Sequence, residues 1–115
     1  MENKIKDITS KERLLLKQIR KRTPMYVGEY SLNKLGDFFE GYREALFNYD
    51  LSNQCCIIPK EFNEFVLKKY KQNPSTMGYV RVILQHVSDG KEAVEIFFNL
   101  LDEFLEENGF EKIGL

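Results

Sequence analysis

Apolar residues recur at intervals of three and four positions in five segments, the spacing that places side chains on one face of a helix. The clearest segment begins after Ser31, a good N-cap residue, and continues for five turns. Its predicted inward face is Leu32, Leu35, Phe38, Phe39, Tyr42, Ala45, Leu46 and Tyr49. Gly36 and Gly41 weaken a helix, so we expect another element to pack closely there. Phe47 falls on the opposite face and must be exposed or covered by another element.

A first helix is predicted to start at Thr9 or Ser10. Thr9 and Glu12 have the spacing of a capping box, in which each side chain accepts a backbone N–H from the other residue. Thr23-Pro24 should stop this helix, because proline disfavours the α conformation in the residue before it. Residues 25–28 are then expected to form a short extended loop.

The last helix is predicted to open with a second capping box, Asp89 with Glu92, and to end at Asn108-Gly109. Its predicted inward residues are Ala93, Val94, Phe97, Phe98, Leu100, Leu101, Phe104 and Leu105. Its predicted outward residues are Glu92, Glu95, Asp102, Glu103 and Glu106. This helix therefore combines an apolar inner face with an acidic outer face.

Two shorter helices are predicted between these. One starts at Pro59, which suits a first helical turn, and runs to about Lys71 after a buried extended stretch at residues 55–58. The other is capped by Ser75, with its inward residues being Val80, Ile83, Leu84 and Val87. A strand is the alternative for residues 79–84, but the apolar spacing favours a helix. Together the segments predict an all-α fold, a compact bundle of about five helices in a single domain over residues 1–115.

Composition is that of a soluble globular domain. The 115 residues are 43% hydrophobic and 30% charged, with a net charge of −1. No apolar run is long enough to span a membrane and no signal peptide is recognisable at the start, so we expect a cytoplasmic protein without a membrane partner. Cys55 and Cys56 are expected to stay reduced as small buried residues, because a disulfide between neighbours is strained; a redox pair or a reactive thiol is the alternative.

Charge is distributed unevenly along the chain. Residues 1–22 carry eight Lys/Arg and three acids, whereas residues 85–115 carry two Lys and eight acids. We expect the basic first helix and the acidic last helix to neutralise each other partly in the fold.

The residues do not predict an enzyme. His86 is the only histidine, and no Cys/His spacing resembles a metal site. No nucleophile stands with a base and an orienting group, and no glycine-rich phosphate loop is present. We therefore expect no catalytic, metal or cofactor site.

Two charged surfaces remain as candidate binding sites. The basic residues of the first helix could neutralise nucleic-acid phosphates; they are Lys11, Arg13, Lys17, Arg20, Lys21 and Arg22. The slightly acidic protein, with a pI near 5.9, makes a solvated helix the simpler interpretation. On the last helix, the acidic face could bind a basic protein, although a merely solvated face explains it as well.

One local resemblance concerns Arg20 to Gly28, Arg-Lys-Arg-Thr-Pro-Met-Tyr-Val-Gly, which is similar to the R-P-G-M-Y-I-G segment of gyrase-B-type ATPase domains. Proline stands one place later here. The sheet and glycine-rich lid of those domains have no counterpart in this chain. We treat the Glu44 and Asn48 spacing, which matches a Glu-x-x-x-Asn pair of that family, as a coincidence.

A second resemblance covers most of the chain. Met25-Tyr26-Val27-Gly28, Phe39-x-Gly41-Tyr42, Ser75-Thr76-x-Gly78-Tyr79 and the run from Glu92 to Phe104 resemble small bacterial immunity-type proteins encoded beside polymorphic toxins. The resemblance implies a non-enzymatic protein that neutralises a cognate toxin by binding and occluding it. It carries over no catalytic residues.

On that hypothesis, the partner is a basic toxin domain, because toxin nucleases must bind phosphates. The candidate partner-binding residues are Glu95, Asp102, Glu103 and Glu106, with Phe47 as an apolar anchor. The alternative function is a small nucleic-acid-binding or regulatory protein that uses the basic first helix.

Overall fold

The computed structural model describes residues 5–73 and 77–115. Within these ranges the chain forms six helices and no strand. The helices are α1 (Ser10–Lys21), α2 (Thr23–Val27), α3 (Leu32–Asn48), α4 (Phe62–Lys69), α5 (Tyr79–Leu84) and α6 (Lys91–Glu107). The predicted all-α bundle is confirmed, with six helices instead of five. None of the described helices is long and apolar enough to cross a bilayer.

The core is built around α6, which contacts α1, α3, α4 and α5. Its predicted inward face is confirmed apart from Leu100, which is half-buried. At the centre, the Phe97 ring lies within 5.7 Å of the rings of Phe39, Phe62 and Tyr79, measured between centroids. Burying each phenylalanine contributes roughly 1.5–3 kcal/mol, so this aromatic cluster is a major source of stability.

The longest predicted helix is present as α3, and the Ser31 hydroxyl accepts a hydrogen bond from the Lys34 N–H at 3.1 Å. Its apolar face is buried only in the first half, where Leu32, Leu35 and Phe39 enter the core. Ala45 and Tyr49, predicted to point inward, are exposed. The second half of α3 therefore extends past the core.

Residues 23–27 form one helical turn, α2, and the prediction of an extended loop there is wrong. Pro24 ends α1 but also suits the first turn of a new helix, where its missing N–H has no intrahelical partner. Gly28 ends this turn in the left-handed conformation, with φ of 91°, which glycine adopts without strain.

The first predicted capping box is partly right and the second is wrong. The Thr9 hydroxyl accepts the Glu12 N–H at 3.4 Å, but the Glu12 carboxylate accepts a hydrogen bond from the Tyr42 hydroxyl on α3 instead. Asp89 does not cap α6, whose N-cap is Gly90 without a side-chain hydrogen bond. A tertiary partner has replaced the local one in each case.

Asp89 instead caps α3. Its carboxylate accepts hydrogen bonds from the Leu32 N–H at 2.6 Å, the Ser31 hydroxyl at 2.8 Å and the Asn33 N–H at 3.3 Å. Burial acts to raise the pKa of Asp89, but these bonds and one from the Gly90 N–H outweigh it and hold the pKa below its ordinary value. The start of α3 is thereby tied to the residues before α6.

The two shorter helices are present with shifted ends. α4 begins at Phe62, not Pro59, because Pro59 lies in a preceding turn whose carbonyl accepts the Phe62 N–H at 3.0 Å. For α5, the helix is confirmed over the strand alternative, and the fully buried Val82 joins Ile83 in the core. The predicted cap Ser75 lies outside the described residues.

Of the two glycines in α3, only Gly36 marks a close approach. A Cβ atom built on Gly36 would lie 2.9 Å from Cγ2 of Val80 on α5, whereas one on Gly41 meets no atom within 4 Å. The prediction of close packing is confirmed at Gly36 and wrong at Gly41.

Candidate functional site

A groove of about 1330 Å³ lies between α3, residues 52–61 and α5. Apolar side chains line its floor, and they are Phe39, Ile57, Ile58, Tyr79, Val80 and Leu84. The two helices that contribute to the groove, α3 and α5, approach each other closely where Gly36 faces Val80.

Tyr79 gives this apolar floor a polar group. Its ring packs against Phe62 at 5.1 Å and Phe97 at 5.6 Å between centroids, and its hydroxyl has no hydrogen bond within the described residues. Burial, with a further contribution from Glu40, raises the pKa of Tyr79, and Arg43 opposes the shift. The hydroxyl is thus a protonated donor on the groove floor.

Phe47 continues the groove edge along α3. Asn33, Gly36, Glu40 and Arg43 line the groove at three- and four-residue spacing, and Phe47 is the next residue in that series. Its side chain is 67% exposed, and Tyr49 beyond it is 77% exposed. The sequence predicted that Phe47 is either exposed or covered by another element, and in the structure it is exposed.

The charges around the groove are mixed. Glu40 and Arg43 on α3 pair at 2.7 Å. Asp37, on the same helix, is exposed. Three cations on other segments of the groove are also exposed, and they are Lys6, Lys60 and Arg81. Within the described ranges none of these four side chains has an ion pair.

The two cysteines also line the groove, and both thiols are free and half-buried. Burial raises the pKa of Cys56; Lys6 opposes the shift, and Asp7, Glu12 and Glu61 add to it. A raised pKa keeps Cys56 in the thiol form, which is a weak nucleophile. Cys56 therefore acts in this wall as a small, mostly apolar residue.

The acids of α6 lie apart from the groove, since none of them lines it. Asp102 is only 14% exposed: one carboxylate oxygen pairs with Arg20 at 2.6 Å, and the other accepts the Ile113 N–H at 2.7 Å and the Gly114 N–H at 3.3 Å. The prediction that Asp102 points to solvent is therefore wrong. The Arg20–Asp102 pair confirms that the basic and acidic helices partly neutralise each other.

The other three candidate acids differ in their partners. Glu103 pairs with Lys69 of α4, and Glu106 lies 3.6 Å from Lys112 while remaining mostly exposed. Glu95 is exposed and lines a small cleft with Lys21 and Lys91, without an ion pair to any described residue. Glu95 and Glu106 are thus the acids most available to a partner.

The basic first helix is partly used within the fold. Arg13 pairs with Asp7 and donates to the Glu111 carbonyl, and Arg20 is held by Asp102. The remaining cations are exposed without an ion pair among the described residues, and they are Lys11, Lys17, Lys21 and Arg22.

Two further polar groups lie outside these charged surfaces. His86 is exposed and stacks on Tyr70 with ring centroids 4.6 Å apart. Across residues 5–73 and 77–115, no cluster of three His, Cys, Asp or Glu side chains could hold a metal ion. Glu12 is buried, and its second carboxylate oxygen has no hydrogen-bond partner among the described residues.

Comparison with known proteins found no matching family model, no matching curated protein and no matching solved structure. The function of this chain must therefore be inferred from its own surface. The sequence singled out Phe47 but not Tyr79, Asp37 or Lys60. Tyr79 entered the sequence analysis only as part of a motif that resembles immunity-type proteins, and the packed fold shows that it lines a groove.

Proposed function

We propose that this protein is a non-enzymatic binding domain that neutralises a cognate toxin of basic character by covering its functional surface. The observation that carries the proposal is the exposure of Phe47 and Tyr49 at the end of α3, beside a large groove. Exposed aromatic residues next to a concave surface are typical anchors of protein interfaces. Occlusion requires a stable scaffold and a complementary surface, and no catalytic group.

Two surfaces of the domain are suited to a basic partner. One is the α6 face with Glu95 and Glu106, and the other is the α3 edge, where Asp37, Glu44 and Asp50 are exposed near Phe47. Negative charge on either surface would accelerate association with a basic toxin and help to orient it.

The proposal is tested by co-expressing the chain with the toxin-type protein encoded beside its gene and measuring growth and complex formation. We expect growth rescue and a 1:1 complex. Replacing both Phe47 and Tyr49 by alanine should weaken binding by about 30-fold or more, as for an interface hot spot.

The matched control replaces two exposed apolar residues on other helices, Leu14 and Met25, by alanine. This variant should bind like the wild type. Absence of both rescue and complex would refute the proposed function.

Nucleic-acid binding is the second candidate, favoured by the four exposed cations of α1 and its C-cap. It predicts that affinity for duplex DNA or RNA falls steeply with salt, with a log–log slope of about −0.9 for each phosphate contacted on B-DNA. Replacing Lys11, Lys17 and Lys21 by glutamate should then abolish retention of nucleic acid.

A further inference from the structure

The segments that form the rim of the groove differ in the sign of their charge. Along α3, Asp37 lines the groove and has no ion pair among the described residues, while Glu40 and Arg43 neutralise each other. The exposed Glu44 lies two turns beyond Asp37 on the same helix, just outside the lining residues. The cations Lys60 and Arg81, which have no ion pair among the described residues, come from the other two elements, where Glu61 is the one acid among the described lining residues. A ligand lying in the groove therefore meets an acidic edge along α3 and a predominantly basic edge elsewhere.

The apolar floor between these edges contains a hydrogen-bond donor without a partner among the described residues, the Tyr79 hydroxyl. The Tyr79 hydroxyl is held by a ring that packs on Phe62 and Phe97, so its position is fixed by the core. A buried or half-buried tyrosine hydroxyl usually has a hydrogen-bond partner, and a backbone carbonyl of a bound chain would supply an acceptor.

The size and charge of the groove indicate which class of ligand fits. Its volume of about 1330 Å³ exceeds the roughly 300–1,000 Å³ of typical small-molecule pockets. Acids along one edge would repel a phosphate backbone, which requires cations throughout its contact surface. A polypeptide segment satisfies both edges because it can carry both signs of charge.

We propose that the groove receives an amphipathic segment of the toxin, which lays its apolar side on Tyr79, Ile57 and Leu84. Cationic side chains of that segment face Asp37 and Glu44, and its acidic side chains face Lys60 and Arg81. Phe47 packs against the toxin where the segment leaves the groove. This inference rests on the proposed function and specifies which surface performs it.

The test measures binding by calorimetry to the catalytically inactivated toxin encoded beside the gene. Two variants reverse one edge each, Asp37→Lys/Glu44→Lys and Lys60→Glu/Arg81→Glu, and Tyr79→Phe removes the donor. We expect each edge variant to weaken binding at least tenfold and Tyr79→Phe to weaken it about fivefold. The control Glu64→Lys/Lys68→Glu, at exposed residues of α4 outside the groove, should change affinity less than twofold. A further variant on α6, Glu95→Lys/Glu106→Lys, measures what the other acidic face contributes, and circular dichroism verifies that all variants fold.

The outcomes separate the two proposals. If the toxin binds the wild type, the groove variants bind within twofold of it and the α6 variant loses affinity, the groove assignment is wrong and the proposed function stands. If the wild type does not bind the toxin, both are wrong.

The native thiols provide a second readout, since Cys55 and Cys56 are the only cysteines of the chain and both line the groove. With the toxin's own cysteines replaced by serine, complex formation should slow the reaction of these thiols with Ellman's reagent at least tenfold. An unchanged rate in a saturated complex would refute occupation of the groove.

Discussion

A charged side chain that is almost fully buried depends on the few partners it has. Glu12 is 4% exposed, and within residues 5–73 and 77–115 its carboxylate has a single hydrogen-bond partner, the Tyr42 hydroxyl. Burial is the largest cause that raises the pKa of Tyr42 to about 12, followed by the hydrogen bond to Glu12. Tyr42 therefore remains a donor throughout the physiological pH range.

Tyr42→Phe should accordingly destabilise the fold by about 1–3 kcal/mol, because it leaves the whole Glu12 carboxylate without a partner. Urea denaturation measures the change in the free energy of unfolding. The double variant Glu12→Met/Tyr42→Phe replaces both polar groups by apolar ones and should recover part of the loss. A double variant no more stable than Tyr42→Phe would contradict this account of the pair.

Asp89 predicts a pH dependence of stability. Its pKa is lower in the folded state than the ordinary value of 3.8, so its contribution is present above that value and is lost as the pH falls through the folded-state pKa. Asp89→Asn should therefore be less stable than the wild type at pH 7, and the difference should shrink below about pH 4. Thermal unfolding of both proteins between pH 2.5 and 7 tests this prediction. If the stability difference between the wild type and Asp89→Asn is constant over that range, it does not arise from the charge of Asp89.

At the scale of single elements, the two glycines of α3 provide a matched comparison. Gly41→Ala should stabilise the protein by about 0.5–1 kcal/mol, because alanine favours a helix and the site has free space. Gly36→Ala should destabilise it, because the new Cβ would collide with Val80 on a neighbouring helix. Adding Val80→Ala to Gly36→Ala should relieve that collision, and chemical denaturation of the variants measures each effect.

The helices were predictable where local sequence controls them. Ser31 caps α3 as its spacing indicates, and the apolar face of α6 is buried as its periodicity predicts. The errors arise where a residue suits two local structures or finds a distant partner. Pro24 ends α1 and also lies in the first turn of α2. Asp89 lies just before α6 in the sequence but caps α3.

The candidate site was less predictable for the same reason. Exposure of Phe47 follows from its position opposite the apolar stripe of its own helix. The groove, in contrast, is made by three segments separated along the chain, and no spacing within one segment indicates that they meet. Asp102 shows the converse error, since helical periodicity placed it in solvent while Arg20 and the C-terminal segment cover it.

At the scale of the whole molecule, Asp102 connects three parts of the chain. It pairs with Arg20 on α1, lies on α6 and accepts the backbone N–H of Ile113, whose side chain is buried. Asp102→Ala should destabilise the fold by about 2 kcal/mol. This is less than the cost of breaking a fully buried ion pair, because the Arg20 and Asp102 side chains are both slightly exposed. Glu106→Ala, which removes an exposed and distant pair, should change stability by less than about 0.5 kcal/mol. Equal effects in equilibrium denaturation would mean that Asp102 does not hold these parts together.

The cap that Asp89 provides for α3 also has a consequence for the order of events in folding. Ser31 is adjacent to α3 and can cap it as soon as the helix forms, but Asp89 is 57 residues from Leu32 and can bind only after distant parts of the chain have docked. Contacts that form after the transition state affect the unfolding rate and leave the refolding rate nearly unchanged. We therefore expect Asp89→Ala to accelerate unfolding and Ser31→Ala to slow refolding as well, a contrast that stopped-flow kinetics over a range of urea concentrations would resolve. The same helix end would then record both an early and a late step of folding.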